Sequence, residues 1–535
     1  MKTISRLLNL LLVVLPLFTC AQDSWWVNFT DKKGVSFDPY TYFDQKAIDR
    51  RIRNGIPLND FTDWPLNEQY VSRVGQLSDS ILLASRWFNA VAVDASENQI
   101  RAIRLLPFVA SVEKLEEETV VVASLTEYDT TLSDGEMEVL RNQTLSMQGD
   151  LFEKAGINGK GVRVAIFDVG FPGAKENPAF QEIIKEGRLI ASKDFSRRKG
   201  EDVFWGKSHG TQVWSCIAGK VGDQRIGLAT GAEFLLAKTE VNREPFSEEL
   251  HWLAAAEWAD KNGADIINSS LGYTKNRYFP WQMDGHYSFI TRAANLAARK
   301  GILVVNAAGN EGQNGWHTVG APADADSVLS VGGIAPETGY HTSFSSYGPT
   351  ADRRMKPNVS AYGHVIASGS NGFISAMGTS FASPLVAGFA ACALQLNKDI
   401  KNMDLFLEIE KSGHLYPYFD YAHGYGVPQA AYFLGQKATG AIRTFSIENS
   451  SDTIRVLVKP QFIPVAEAED TEESAQQFNK NLYLYYNVMD HSGVIKSYYV
   501  VAVTEPEVLI FDRSEFQEGE LLNVHFAGFT ESISF

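Results

Sequence analysis

Met377-Gly378-Thr379-Ser380-Phe381-Ala382-Ser383-Pro384 is followed by Leu385, Val386, Phe389, Ala390, Ala393 and Leu394 at helical spacing. The pattern predicts a helix with Ser380 at its start. Gly378 and Thr379 permit a tight approach just before it. A hydroxyl there lies at the positive end of the helix, beside backbone N–H groups with no partner inside it. Such a position suits a nucleophile that must generate and stabilise an oxyanion. Taken alone, Gly-Thr-Ser reads more often as an ordinary helix cap, so motifs elsewhere in the chain decide between the two readings.

Gly161-Val162-Arg163-Val164-Ala165-Ile166-Phe167-Asp168 is an apolar run ending in a carboxylate. It reads as a buried strand of a parallel sheet, with Asp168 at the carboxyl end, where open α/β sheets place their sites. Ser208-His209-Gly210-Thr211-Gln212-Val213 puts His209 at the start of a short helix that Ile217-Ala218-Gly219 closes. Phe234 to Ala237 is a strand. Ser247 to Asp260 is a helix with Leu250, Leu253, Ala254 and Trp258 on one face. Asp265 to Asn268 is a strand, Tyr287 to Arg299 a helix, and Ile302 to Asn306 a strand. Ala307-Ala308-Gly309-Asn310-Glu311-Gly312 ends that last strand, where the Asn310 amide could donate to a developing oxyanion. This alternation indicates an α/β fold with a doubly wound parallel sheet. Each site motif also has a bland reading: a strand-end Asp as a turn residue, Asn-Glu-Gly as a turn. His251, His286 and His317 read as surface or packing residues.

Asp168, His209, Asn310 and Ser380, each in its motif and in that order, resemble the subtilisin-like serine proteases (subtilases). The resemblance covers roughly residues 145–435. It extends to Asn268-Ser269-Ser270-Leu271-Gly272, Phe344-Ser345-Ser346-Tyr347-Gly348-Pro349 and Lys356-Pro357-Asn358-Val359. A lipase-type hydrolase would show Gly-x-Ser-x-Gly and the order Ser, acid, His. The resemblance implies that Ser380 attacks the peptide carbonyl, His209 moves the proton, and Asp168 orients the imidazole and stabilises its charged form. It implies that the Asn310 amide and the Ser380 N–H stabilise the oxyanion, with no cofactor for catalysis. Ser270, Leu271 and Gly272 would form one wall of the primary specificity pocket, Ala308 and Gly309 the other, and Gly320 its base. Small residues there leave room for a bulky apolar side chain, and Glu311 near the rim offers a partner to a basic one. One departure stands out: Val169 follows Asp168 where the family usually has Ser or Thr. Some subtilases bind structural calcium, but no Asp-rich loop of recognised spacing occurs here and no metal site is assigned. A protease fold kept as a non-catalytic binding protein normally lacks a triad residue, and none is replaced in this chain.

At 535 residues the chain predicts more than one domain. A net charge of −16 argues against nucleic acid as a main partner and against adhesion to anionic membrane. Residues 1–21 read as an export signal: Lys2 and Arg6, the apolar Leu7 to Phe18, then Thr19-Cys20-Ala21 before Gln22. A lipidated Cys20 is the alternative, which Phe18 and Thr19 fit poorly. No later stretch looks long and apolar enough to span a bilayer, so the mature form is expected without a transmembrane segment, secreted or at the cell surface. Cys216 and Cys392 read as buried thiols and make no disulfide framework.

Residues 22–115 mix strands and helices as a small α+β domain. The family resemblance re-reads it as an inhibitor-type propeptide, cut away by self-cleavage. An acidic linker over 116–140 would hold the processing site, and the catalytic domain would run over 141–437. Residues 440–535 read as strands around an acidic loop at Ala466 to Gln477, a β-sandwich-like domain. Its Tyr-rich strands suit either carbohydrate or cell-surface partners, or a stabilising and spacing role. The expected partners are protein or peptide substrates and the chain's own propeptide.

Overall fold

The computed structural model describes residues 23–115, 132–197, 200, 202–241, 245–275, 277–369, 372–436, 442–463 and 483–535. The expected leader, the stretch 116–131 and the acidic loop at Ala466 to Gln477 lie outside the described residues.

Seven strands form one sheet in the order Val359–Tyr362, Val328–Ile334, Leu303–Ala307, Ile266–Ser269, Arg163–Asp168, Glu233–Lys238, Leu189–Asp194. Every neighbouring pair is parallel. Strands buried on both faces need no alternation of apolar and polar residues, which is why Val-Ala-Ile-Phe reads continuously through Asp168. Side chains still alternate in direction. Val164 and Ile166 join a core with Trp214, Cys216 and Phe389, while Phe167 meets the edge of Trp252 at 5.5 Å. The register pairs Phe167 with Ser269 and Ser269 with Asn306, and Asp168 with Lys238. The carboxyl ends of these four strands are therefore level.

Helix Thr379–Leu396 is buried almost all round. The expectation that no stretch after the leader is long and apolar enough to span a bilayer needs correction: among the described residues this one helix is, and here it is a core element packed against helix His209–Ala218. Helix Ser247–Lys261 differs from its expected single face. Leu250, Trp252, Leu253, Ala255, Ala256 and Ala259 are buried, whereas Ala254 and Trp258 are half-buried. It packs against both the sheet and helix Phe289–Arg299, so its buried arc is wide. Cys216 and Cys392 are free and buried, and burial pushes both thiols up to about 12, which leaves them unreactive.

The expected linker end at residue 140 needs correction. Ser133 caps helix Asp134–Leu145 in a box with Glu136. Within that helix Leu140 is buried, and the Gln143 amide donates to Ile226 O at 2.7 Å and accepts from Ile366 N at 3.0 Å. The acidic residues Asp134 and Glu136 belong to the first turn of a helix built into the protease unit, where negative charge is favourable.

The described residues fall into two units: 23–35 with 66–115, and 36–65 with everything from 132 onward. The first is a four-stranded antiparallel sheet, ordered Ser80–Ser85, Ala90–Ala95, Asp23–Phe29, Val109–Leu115. Trp25, Val27 and Phe29 alternate inward onto Val74, Ile100 and Ile103 of helices Glu68–Leu77 and Glu97–Arg104. The domain expected without interruption over 22–115 thus carries an insert, residues 36–65, that belongs to the other unit. The insert has its own small apolar cluster of Phe43, Ala47 and Ile48, and three of its charged side chains, Arg50, Arg51 and Asp63, are buried among residues of the protease unit.

The C-terminal residues form two facing antiparallel sheets, Phe445–Asn449/Thr453–Val458/Glu507–Asp512 and Ile495–Ala502/Tyr483–Met489/Leu521–Phe526/Phe529–Ser534. They share a core of Phe445, Ile454, Val456, Leu484, Leu522, Val524 and Phe526. The Tyr-rich strands do not all face solvent. Tyr485 packs with Leu415 and Tyr418, Tyr498 meets Tyr421, and Asn487 donates to Phe419 O at 2.7 Å. Much of that tyrosine surface docks the sandwich onto residues 415–425, which supports the stabilising role.

Candidate active site

Asp168 is the last residue of its strand and is fully buried. Its Oδ1 accepts from Val169 N at 2.8 Å, and Oδ1 and Oδ2 lie 2.9 and 3.0 Å from His209 Nδ1. His209 opens helix His209–Ala218 and is half-buried. Gly210 makes this approach possible: a Cβ there would lie 2.3 Å from Gly170 O and 3.0 Å from the Asp168 Cβ. Burial opposes the charged imidazolium, but the Asp168 charge and hydrogen bond outweigh it, so the His209 pKa is raised above the ordinary histidine value.

Ser380 is the second residue of its helix, so its N–H has no partner within the helix. Its hydroxyl donates to Ser270 O at 3.1 Å, and no hydrogen bond joins it to His209 in this structure. The His209 ring nonetheless lies 5.4 Å, centroid to centroid, from that of Phe381, the residue after Ser380. Catalytic hydrogen bonds are commonly long or unmade before substrate binds. Asn310 is joined to the start of the same helix. Its Oδ1 accepts from Thr379 N at 2.9 Å and from Thr379 Oγ1 at 3.1 Å, which fixes the carbonyl end and turns Nδ2 outward. Nδ2 and Ser380 N lie 3.5 and 3.7 Å from where a Gly378 Cβ would be, and Gly378 has φ +146. A Cβ at 378 would meet both donors at ordinary contact distance, and the positive φ is what favours glycine there.

The six expected pocket residues are linked through the backbone. Ser270 Oγ donates to Ser380 O at 2.9 Å. Tyr273 and Ala321 exchange two hydrogen bonds of 2.8 and 3.1 Å, tying the wall Ser270-Leu271-Gly272 to Gly320. Gly320 N donates to Ala308 O at 3.2 Å, and Gly309 N donates to Thr379 Oγ1 at 3.2 Å. Glu311 pairs with Lys275 at 3.9 Å and accepts from Asn314.

Sequence reasoning missed two supporting residues. Thr379 is the hub that joins Asn310, Gly309 and the serine helix. Lys238, at the end of its strand and level with Asp168, is buried and donates to Val169 O at 2.6 Å. Its ammonium fixes the turn after Asp168, the turn in which Val169 stands in place of a hydroxyl residue. The only available signal was a lysine closing an otherwise apolar strand, Phe234-Leu235-Leu236-Ala237-Lys238. No group of three or more His, Cys, Asp or Glu residues that could hold a metal occurs among the described residues.

A carboxylate, an imidazole, a helix-start hydroxyl and an amide gathered at the ends of parallel strands define a class, the serine peptidases. The subtilase family model matches residues 159–426, and that of the Bacteroidota peptidase S8 propeptide domain matches 24–128. Subtilisin DY of Bacillus licheniformis is 30% identical over 250 residues, 46% of this chain and 82% of that protein. The thermostable alkaline protease of Halalkalibacterium halodurans is 33% identical over 239 residues, 44% of this chain and 57% of that protein. Human membrane-bound transcription factor site-1 protease is 32% identical over 256 residues, 46% of this chain and 22% of its own length. The crystal structure of the epidermin leader peptide processing serine protease of Staphylococcus aureus shares the fold, with a TM-score of 0.56 at 15% identity, covering 79% of this chain and 100% of that one. The chain belongs to the subtilase family, the subtilisin-like serine endopeptidases, and carries the family's propeptide domain.

Proposed function

We propose that the protein is an exported endopeptidase made as a zymogen, in which Ser380, His209 and Asp168 act as nucleophile, base and orienting acid and form an acyl-enzyme on protein substrates. One observation carries the reading: both oxygens of the buried Asp168 carboxylate hold His209 Nδ1. That contact directs the other ring nitrogen, Nε2, to the proton-transfer task. In this reading the serine hydroxyl gives up its bond to the Ser270 carbonyl and turns to the imidazole. The developing oxyanion is met by Ser380 N–H and Asn310 Nδ2. No cofactor enters this chemistry.

Asn310→Ala is expected to lower kcat roughly 10²–10³-fold while KM changes little, because the amide interacts with charge that exists only at the tetrahedral stage. Steady-state kinetics on one peptide decide it; a loss confined to KM would make Asn310 a ground-state binding residue instead.

The pocket between Ser270-Leu271-Gly272 and Ala308-Gly309, floored by Gly320, takes a bulky apolar side chain before the scissile bond, and Glu311 admits a basic one. Cleavage of a peptide library tests this; a dominant preference for acidic side chains would refute it. The unit of residues 23–35 and 66–115 acts as the inhibitor. Self-cleavage lies in 116–131, upstream of the helix that Ser133 caps. Export follows from the leader motif at residues 1–21.

A further inference from the structure

The insert 36–65 is built into the protease unit at the pole opposite the proposed active site. Its helix, Gln45–Asn54, lands where the helices Ser247–Lys261 and Phe289–Arg299 end and the central strands begin. Helix ends leave carbonyl groups without partners, and the insert supplies donors to them. Arg50 donates to Lys300 O at 3.1 Å, to Asp260 O at 3.3 Å and to Ala264 O. Asp44 N donates to Lys261 O at 2.9 Å. Gly263 and Gly301 form the floor: a Cβ on either would lie 2.6 Å from the Lys46 Cβ or 2.7 Å from Asn54 Nδ2.

Charge is matched across this contact. Arg51 grips both Asp260 oxygens at 2.8 Å, and Arg50 also donates to that carboxylate. Asp63 of the insert pairs with Arg51 at 3.2 Å and with Lys300 at 2.9 Å. Arg53 pairs with Asp265 at 2.9 Å, and Lys46 with Glu233 at 3.6 Å. Arg50, Arg51, Asp63, Asp260 and Lys300 are each no more than 2% exposed. Burial alone would raise the Asp260 pKa, but Arg51 and Arg50 hold it below the usual carboxylate value. Removing one side of such a network strands the charges of the other, which makes separation costly.

We propose that residues 36–65 remain seated on this pole after the chain is cut within 116–131, so that the processed enzyme is a two-fragment particle. The unit of residues 23–35 and 66–115, joined to the insert at both of its ends, then leaves by further proteolysis and not by dissociation. A tethered inhibitor keeps a high effective concentration at its site however weak its own contacts are. This rests on the zymogen reading for its biological setting, but its test does not.

The test uses full-length Ser380→Ala chain with a foreign-protease recognition sequence inserted between Ala123 and Ser124. The foreign enzyme makes the cut, so the result stands whether or not the chain is itself a peptidase. The cut sample is run on size exclusion in 1 M NaCl, with and without Arg50→Ala/Arg51→Ala. The two fragments are expected to co-elute in equal amounts, and the double substitution to weaken retention at least ~100-fold. Separation of the unsubstituted fragments would overturn the proposal. So would equal retention by the variant, because a fragment held only through residues 23–35 and 66–115 would be insensitive to the change. If the double variant does not fold, hydrogen exchange of the cut parent decides. Amides of the helix Gln45–Asn54 as slow as in the uncut chain support the proposal, and exchange at the rate of an unstructured peptide overturns it.

Discussion

Ser380→Ala is expected to lower kcat/KM by on the order of 10⁶-fold, the scale that loss of the triad serine sets in subtilisin itself. The fold should be untouched. The serine helix is fixed by Thr379 through its bonds to Asn310 and Gly309, and the Ser380 side chain adds a single hydrogen bond, to Ser270 O. Removing one oxygen from a half-buried position leaves no stranded charge, so Tm should move by no more than a few degrees. The residual rate would come from the oxyanion donors and substrate positioning, which survive the change. Purified Ser380→Ala should also remain a full-length precursor while the unsubstituted chain trims itself. Equal trimming of both, or activity within tenfold of the parent, would mean that another group does the chemistry.

Asp168→Asn should cost roughly 10⁴-fold in kcat, because an amide facing Nδ1 favours the wrong imidazole tautomer. It should also move the pH profile in a defined direction. In the proposed mechanism His209 must be neutral to accept the serine proton, and Asp168 raises its pKa above the ordinary 6.5. In the parent, kcat/KM should therefore climb with pH through an acid limb lying above 6.5. Without the carboxylate, burial is the main remaining influence on the imidazole and it disfavours the charged form, so the limb should drop below 6.5. Profiles of both proteins between about pH 5 and 9 test this. An unmoved limb would show that Asp168 does not govern His209.

The parallel sheet was legible because its strands are apolar on both faces and alternate with helices at ordinary spacing. Asp168, His209 and Ser380 could be proposed from the sequence because each ends a strand or starts a helix, and Asn310 because it follows a strand end by three residues. What stayed hidden depends on contacts between distant residues. Lys238 looks like any strand-end lysine until the register sets it beside Asp168. Gln45 to Arg53 reads locally as a charged helix of the N-terminal domain. Arg50 and Arg51 are buried against Asp260, some two hundred positions along the chain. The start of the protease unit was misplaced for a related reason. Acidic residues signal a solvated linker and a helix first turn equally well, and the Ser133–Glu136 box, a local signal, was the clue that separated them. The tyrosines of the tail read as free surface because nothing in their own strands reveals that Tyr418 and Tyr421 cover them.

An activated nucleophile reacts where an ordinary serine does not, and Ser380 is the proposed nucleophile. Reacting the processed protein with a fluorophosphonate and locating the adduct by mass spectrometry tests it most directly. One adduct per chain is expected, on Ser380, and it should disappear in His209→Ala and on denaturation. Absence of any adduct once residues 23–35 and 66–115 have been removed, or an adduct on a different residue, would contradict it.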